Sequence, residues 1–180
     1  PQAAAVITGQ LPPFVDAVGV FVNEELEQVV RIIRECGLAY AQLHGMESPA
    51  YCRELAERAA PCRLLKALRV GVQSSVDDVA PYQEVVQGYL LDTYQKNVVG
   101  GTGETFDWTL IAQLQLTKPF LLAGGLDAAN IRDALERVRP YGVDANSGLE
   151  DAPGLKNHHR IRQFIEAVRR FESDSLARQQ

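Results

Sequence analysis

The residues best suited to chemistry lie in short strings that each follow an apolar run. Asp92 closes Leu90-Leu91-Asp92-Thr93, and Gly100-Gly101-Thr102-Gly103 comes soon after it. A carboxylate there can give or take a proton, yet with an ordinary aspartate pKa of about 3.9 only about one in a thousand is protonated at pH 7. General-acid work therefore calls for burial or a neighbouring anion, such as a substrate carboxylate, to raise that value. The competing reading of Asp92 is a helix cap or an Asx-turn.

Two further strings, Ala123-Gly124-Gly125-Leu126-Asp127 and Asp144-Ala145-Asn146-Ser147-Gly148-Leu149-Glu150, suit a phosphate. Glycines let backbone N–H groups approach an anion, and a following helix N-terminus adds partial positive charge. Gly124, Gly125, Ser147 and Gly148 are the candidate phosphate residues, against the alternative that the glycines only make tight turns. His44, after Gln42-Leu43, can face a ligand or bond a neighbouring strand. Asp144 can face substrate or fix the loop that follows it. Lys66 lies inside an apolar run, where an unpaired ammonium is costly, so an ion pair and a ligand contact are both open.

The remaining reactive side chains read as structural. Cys36, Cys52 and Cys62 form no CxxC pair and no even disulfide set, and suit small core positions in a reducing compartment such as the cytoplasm. Three histidines, two of them the adjacent His158 and His159, offer no metal-ligand spacing, so no metal is expected. His158 and His159 are expected to begin or precede the last helix and to face solvent. Trp108 is expected to anchor packing at a helix start. Neither GxxxxGK[ST] nor GxGxxG occurs, which argues against a nucleotide. A net charge of −5 weighs against a nucleic-acid partner, and no apolar run approaches the length of a membrane span.

These strings need a scaffold that brings them together. Apolar residues at helical spacing predict helices through Leu26/Val29/Val30/Ile33, Cys52/Leu55/Ala56/Ala59, Ile131/Ala134/Leu135/Val138 and Ile161/Phe164/Ile165/Val168. Asn23, Ser48 with Pro49, and Asp127 supply start signals, and Pro140 stops the third helix. Between them, continuous apolar runs at Val18–Val22, Tyr40–Leu43, Leu64–Leu68, Tyr89–Leu91, Phe120–Ala123 and Gly142–Ala145 predict strands of a parallel sheet covered on both sides. The strands recur every 20 to 30 residues or so, the length of a βα unit. Polar and glycine residues gather after the strands, which favours a (β/α)8 TIM barrel with one functional rim over an open sheet.

A length of 180 residues suits one domain, 1–180, with residues 172–180 expected to fray. Six βα units fall two short of a barrel, so the expectation is that the first two strands are absent, a stretch of about 40 to 50 residues before Pro1. With six strands, two sheet edges and some apolar surface would stay uncovered.

Taken in order, Val18-Gly19-Val20-Phe21-Val22-Asn23, Gln42-Leu43-His44-Gly45, Leu91-Asp92-Thr93, Gly100 to Gly103 with Phe106-Asp107-Trp108, Ala123-Gly124-Gly125-Leu126 and Asp144 to Glu150 resemble phosphoribosylanthranilate isomerase over nearly the whole chain. The resemblance implies a barrel enzyme of tryptophan biosynthesis acting on a small phosphorylated substrate, as monomer or homodimer, with no cofactor. The reaction is the Amadori rearrangement of N-(5-phosphoribosyl)anthranilate to 1-(2-carboxyphenylamino)-1-deoxyribulose 5-phosphate. The family's general acid matches Asp92, its phosphate loops match Gly124, Gly125, Ser147 and Gly148, and His44 and Asp144 match substrate-side positions. Its general-base Cys belongs to a first strand with no counterpart here, and Cys36 in Glu35-Cys36-Gly37-Leu38 stands at the wrong place in the order. The Gly100 to Gly103 loop is expected to order over the substrate. Three alternatives remain at this point: an inactive fragment, an assembly partner completed by another chain, or another phosphate-binding barrel enzyme such as indole-3-glycerol phosphate synthase or ribulose-phosphate epimerase.

Overall fold

Six apolar runs form six strands: β1 (Val18–Phe21), β2 (Tyr40–Leu43), β3 (Arg63–Arg69), β4 (Gly88–Asp92), β5 (Phe120–Ala123) and β6 (Gly142–Val143). This is a computed structural model, and it describes residues 1–93 and 107–177. The strands join one sheet in sequence order, β1 to β6. The β1–β2, β2–β3 and β5–β6 pairs are parallel, with Val18 opposite Tyr40, Leu43 opposite Lys66 and Leu122 opposite Val143. Parallel neighbours require a crossover between them, which the βα repeat supplies.

Helices lie in most of the crossovers and at both ends of the strand series. They are α1 (Gln2–Thr8), α2 (Leu26–Cys36), α3 (Pro49–Ala59), α4 (Val76–Val79), α5 (Ile131–Val138) and α6 (His158–Ala177). Residues Trp108–Leu114 form a 3₁₀ segment that opens on Trp108. The chain divides into two compact units. One comprises Pro1–Leu68, Ser75–Leu90 and Leu116–Pro119; the other comprises Arg69–Ser74, Leu91–Gln115 and Phe120–Gln180.

In the first unit, α2 buries Val29, Val30, Ile33 and Cys36, and α3 buries Cys52, Leu55 and Ala59. Beneath them Ala41, Leu43 and Leu64 are completely buried. Ser48 caps α3 by accepting from the Tyr51 N–H at 3.2 Å, with Pro49 at the first helical position. β1 stands at one end of the strand order, and Val18, Val20 and Val22 are 46%, 59% and 61% exposed. In the second unit, Leu122, Leu126, Ile131, Ala134 and Leu149 form the core.

Several elements depart from the sequence reading. The helix expected to open at Asn23 begins at Leu26, because Asn23 adopts φ 50° and its Oδ1 accepts from the Met46 N–H at 2.6 Å. The helix expected at Asp127 begins at Ile131. Asp127 caps a preceding turn instead, accepting from the Ala129 and Asn130 N–H groups. The sixth strand stops at Val143 rather than Ala145, since the chain turns away once the Asp144 N–H has bonded the Leu122 carbonyl at 2.8 Å. Two features have no strong sequence signal: α1, which buries none of its residues, and an antiparallel hairpin of β7 (Glu150–Ala152) and β8 (Leu155–Lys156). Strands of two or three mostly exposed residues carry no periodicity, and only Pro153-Gly154 marks that turn.

Candidate active site

The second unit gathers most of the predicted site on three consecutive strand ends. Asp92, half-buried, ends β4; Gly124 and Gly125 follow β5; Asp144 follows β6 and leads to Ser147 and Gly148. Hydrogen bonds tie these ends together. The buried Thr93 donates its backbone N–H to the Ala123 carbonyl at 3.2 Å, and its hydroxyl to the Ala123 and Gly124 carbonyls at 2.8 and 3.4 Å. Asp92 is thus anchored beside the first glycine loop through its chain neighbour.

The two glycine loops also touch. A Cβ on Gly148 would lie 2.3 Å from the Leu126 carbonyl oxygen and 3.1 Å from Asp127 Cβ, so only glycine permits this approach. Gly124 and Gly125 have φ of 102° and 67°, a left-handed turn that leaves Gly125 exposed. Asn130 braces that turn, donating from Nδ2 to the Gly125 carbonyl at 2.9 Å and accepting the Asp127 N–H at 3.0 Å. On the other loop, Lys156 Nζ donates to the Asn146 carbonyl at 3.0 Å, to Asn146 Oδ1 and to Glu150 Oε1 at 2.8 Å. The Lys156 hydrogen bond holds the Glu150 carboxyl below its ordinary range. Ser147, at the start of a 3₁₀ turn after Asn146, is exposed. Exposed backbone and a hydroxyl beside tightly braced glycines can receive an oxyanion.

The first unit carries His44 at the end of β2. Its N–H bonds the Phe21 carbonyl at 2.8 Å, and Gln42 Nε2 stands 3.2 Å from its Nδ1. Lys66 resolves into a structural partner. Its Nζ donates to the Leu43 carbonyl at 3.1 Å, the Gly45 carbonyl at 2.7 Å and Glu47 Oε2 at 2.9 Å, which uses all three ammonium hydrogens. Burial alone would raise the Glu47 carboxyl, but the Asn23 N–H and Lys66 outweigh it and the net displacement is downward. Glu47, at 5% exposure, escaped the sequence reading. A lysine in an apolar strand announces some carboxylate partner, but only the tertiary path names Glu47.

The cysteines are all free and buried, and burial pushes the Cys52 and Cys62 thiols up to about 11. Cys36 closes α2 rather than a strand. His158 and His159 are exposed at the start of α6. Gly100 to Gly103 and Phe106 lie outside the described residues. Among the described residues, no three His, Cys, Asp or Glu cluster as a metal site, and no helix is long and apolar enough to cross a membrane.

Comparison with known proteins decides the family. The family model described as N-(5'phosphoribosyl)anthranilate (PRA) isomerase matches residues 1–167. The chain belongs to the phosphoribosylanthranilate isomerase family. An isomerase of this family from Magnetococcus marinus is 45% identical over 172 residues, covering 96% of this chain and 79% of that protein. Phosphoribosyl anthranilate isomerase in complex with reduced 1-(o-carboxyphenylamino)-1-deoxyribulose 5-phosphate superposes with TM-score 0.79 at 38% identity, over 94% of this chain and 79% of that one. Mutually generated monomers of dimeric phosphoribosylantranilate isomerase from Thermotoga maritima give 0.78 at 35%, over 94% and 78%. Membership separates the chain from indole-3-glycerol phosphate synthase and ribulose-phosphate epimerase, which a shared fold leaves open.

Proposed function

We propose that the protein catalyses the Amadori rearrangement of N-(5'-phosphoribosyl)anthranilate in tryptophan biosynthesis, with Asp92 as general acid. Asp92 protonates the furanose ring oxygen, the C1–O bond breaks, and the anilino nitrogen supplies the electron pair that forms the Schiff base. A base then removes the C2 proton to give an enolamine, which becomes the aminoketose. The observation that supports this reading most is the half-buried Asp92 beside the braced glycine loops of the second unit. In it, Gly124, Gly125, Ser147 and Gly148 receive the phosphate, while His44 and Asp144 serve the substrate side.

The base is not one of this chain's three cysteines. A buried thiol with a pKa of about 11, as in Cys52 and Cys62, is protonated at neutral pH, and Cys36 sits at the C-terminal end of a helix. The base of the family's first strand has no counterpart in these 180 residues. We infer one (β/α)8-barrel domain of eight strands, to which this chain contributes six, and a monomer or homodimer. The six strands in sequence order support the barrel.

Turnover of N-(5'-phosphoribosyl)anthranilate by an Asp92→Asn variant of the full-length enzyme tests the assignment. Replacing a general acid by its amide is expected to lower kcat by about 10²- to 10⁴-fold, and unchanged kcat sinks it.

A further inference from the structure

The most fully buried charges in the first unit take no part in the proposed chemistry. Lys66 and Glu47 are 2% and 5% exposed, and their side chains meet at 2.9 Å. A buried ion pair is weak evidence for stability, because desolvating two charges costs about as much as their attraction returns. An apolar pair of the same volume would serve packing equally well. What an apolar pair cannot do is satisfy the backbone of the segment above it.

That segment is the loop that presents His44. Its carbonyls at Leu43 and Gly45 take the Lys66 ammonium at 3.1 and 2.7 Å. Its Gly45 N–H donates to the Glu47 carboxylate at 3.0 Å, and the same carboxylate accepts the Asn23 N–H at 2.8 Å from the end of β1. The Met46 N–H donates to Asn23 Oδ1 at 2.6 Å, and the Tyr82 hydroxyl donates to the Glu47 carbonyl at 2.9 Å. Buried carbonyls require a donor and buried N–H groups an acceptor, so one cation and one anion together close this stretch of backbone. Polar groups on both sides of His44 are held, while its half-buried ring stands at the strand end.

We propose that Glu47 and Lys66 are positioning residues for ligand recognition, holding residues 43–47 so that the His44 ring is presented in one orientation. This rests on the reading of His44 as a substrate-side residue. A preorganised ring spends no binding energy on being ordered, so the pair acts on affinity through His44.

A double-mutant cycle read by calorimetric binding of reduced 1-(o-carboxyphenylamino)-1-deoxyribulose 5-phosphate tests it. Glu47→Gln is expected to raise Kd about tenfold in the wild-type background and less than about twofold beside His44→Ala. The same loss in both backgrounds, or none in either, overturns the positioning role. An unchanged Kd in His44→Ala alone overturns the reading of His44, and the inference with it. A second measurement needs no ligand: NMR side-chain couplings of His44 are expected to report one rotamer in the wild type and averaging in Glu47→Gln. Glu47→Gln/Lys66→Met, which leaves no unpaired buried charge, is expected to show the same averaging, and a single retained rotamer in a folded variant overturns the proposal.

Discussion

Glu47 shows how a residue with no sequence motif can matter through its surroundings. Its folded carboxyl titrates below the ordinary range, so it contributes stability above the unfolded carboxylate pKa and loses it as acid takes the pH down through the lowered folded value. Urea midpoints measured from neutral to acid pH are expected to fall less steeply in Glu47→Gln than in the wild type. The cysteines lead to a second expectation. Cys52 and Cys62 are buried, with thiols near 11, so neither is expected to react with a disulfide reagent in the native protein at pH 8; peptide mapping should find both labelled only after urea unfolding. Modification of either under native conditions would contradict the burial. The strand-end positions of Asp92, His44 and the glycines were legible in the sequence because each follows an apolar run. Glu47 was not, because its role depends on the 2.9 Å contact with a lysine 19 residues away.

At the scale of elements, the loop after β5 and the loop after β6 behave as one device. Gly148 lets them touch, so Gly148→Ala must push Leu126 or Asp127 away and is expected to cost about 1 to 3 kcal/mol. Because both loops belong to the proposed phosphate site, the same substitution should weaken inhibition by inorganic phosphate. A variant with unchanged melting and unchanged inhibition would separate the glycine from both roles. Gly125→Ala makes a useful contrast: there is open space around the position, but φ is 67°, so the penalty is backbone strain of about 1 to 2 kcal/mol with no displaced neighbour. Helix α3 was predictable from Ser48 and Pro49 because capping is local. The starts of α2 and α5 were displaced because Asn23 and Asp127 found partners other than the first helical turn.

For the whole molecule, a ligand that binds only the folded state must raise its stability by mass action. At a concentration of 100 Kd, the reduced product analogue is expected to add about 2.7 kcal/mol, a rise of about 5 to 10 °C in melting midpoint for a chain of this size. Anthranilate at the same molar concentration, which lacks the phosphate, should give a much smaller rise; equal rises from both would count against the glycine loops as the main anchor. By itself, the sequence determined where the six strands fall, the family and the residues at the strand ends. Apolar runs, helical spacing and glycine motifs are local patterns that persist before any contact forms. The tertiary structure alone decided that Lys66 pairs with Glu47, that Gly148 packs against Leu126, and that Thr93 ties Asp92 to the loop after β5. Those are contacts between residues distant in the chain, and their partners are chosen by where the folded backbone leaves a buried charge or carbonyl unsatisfied.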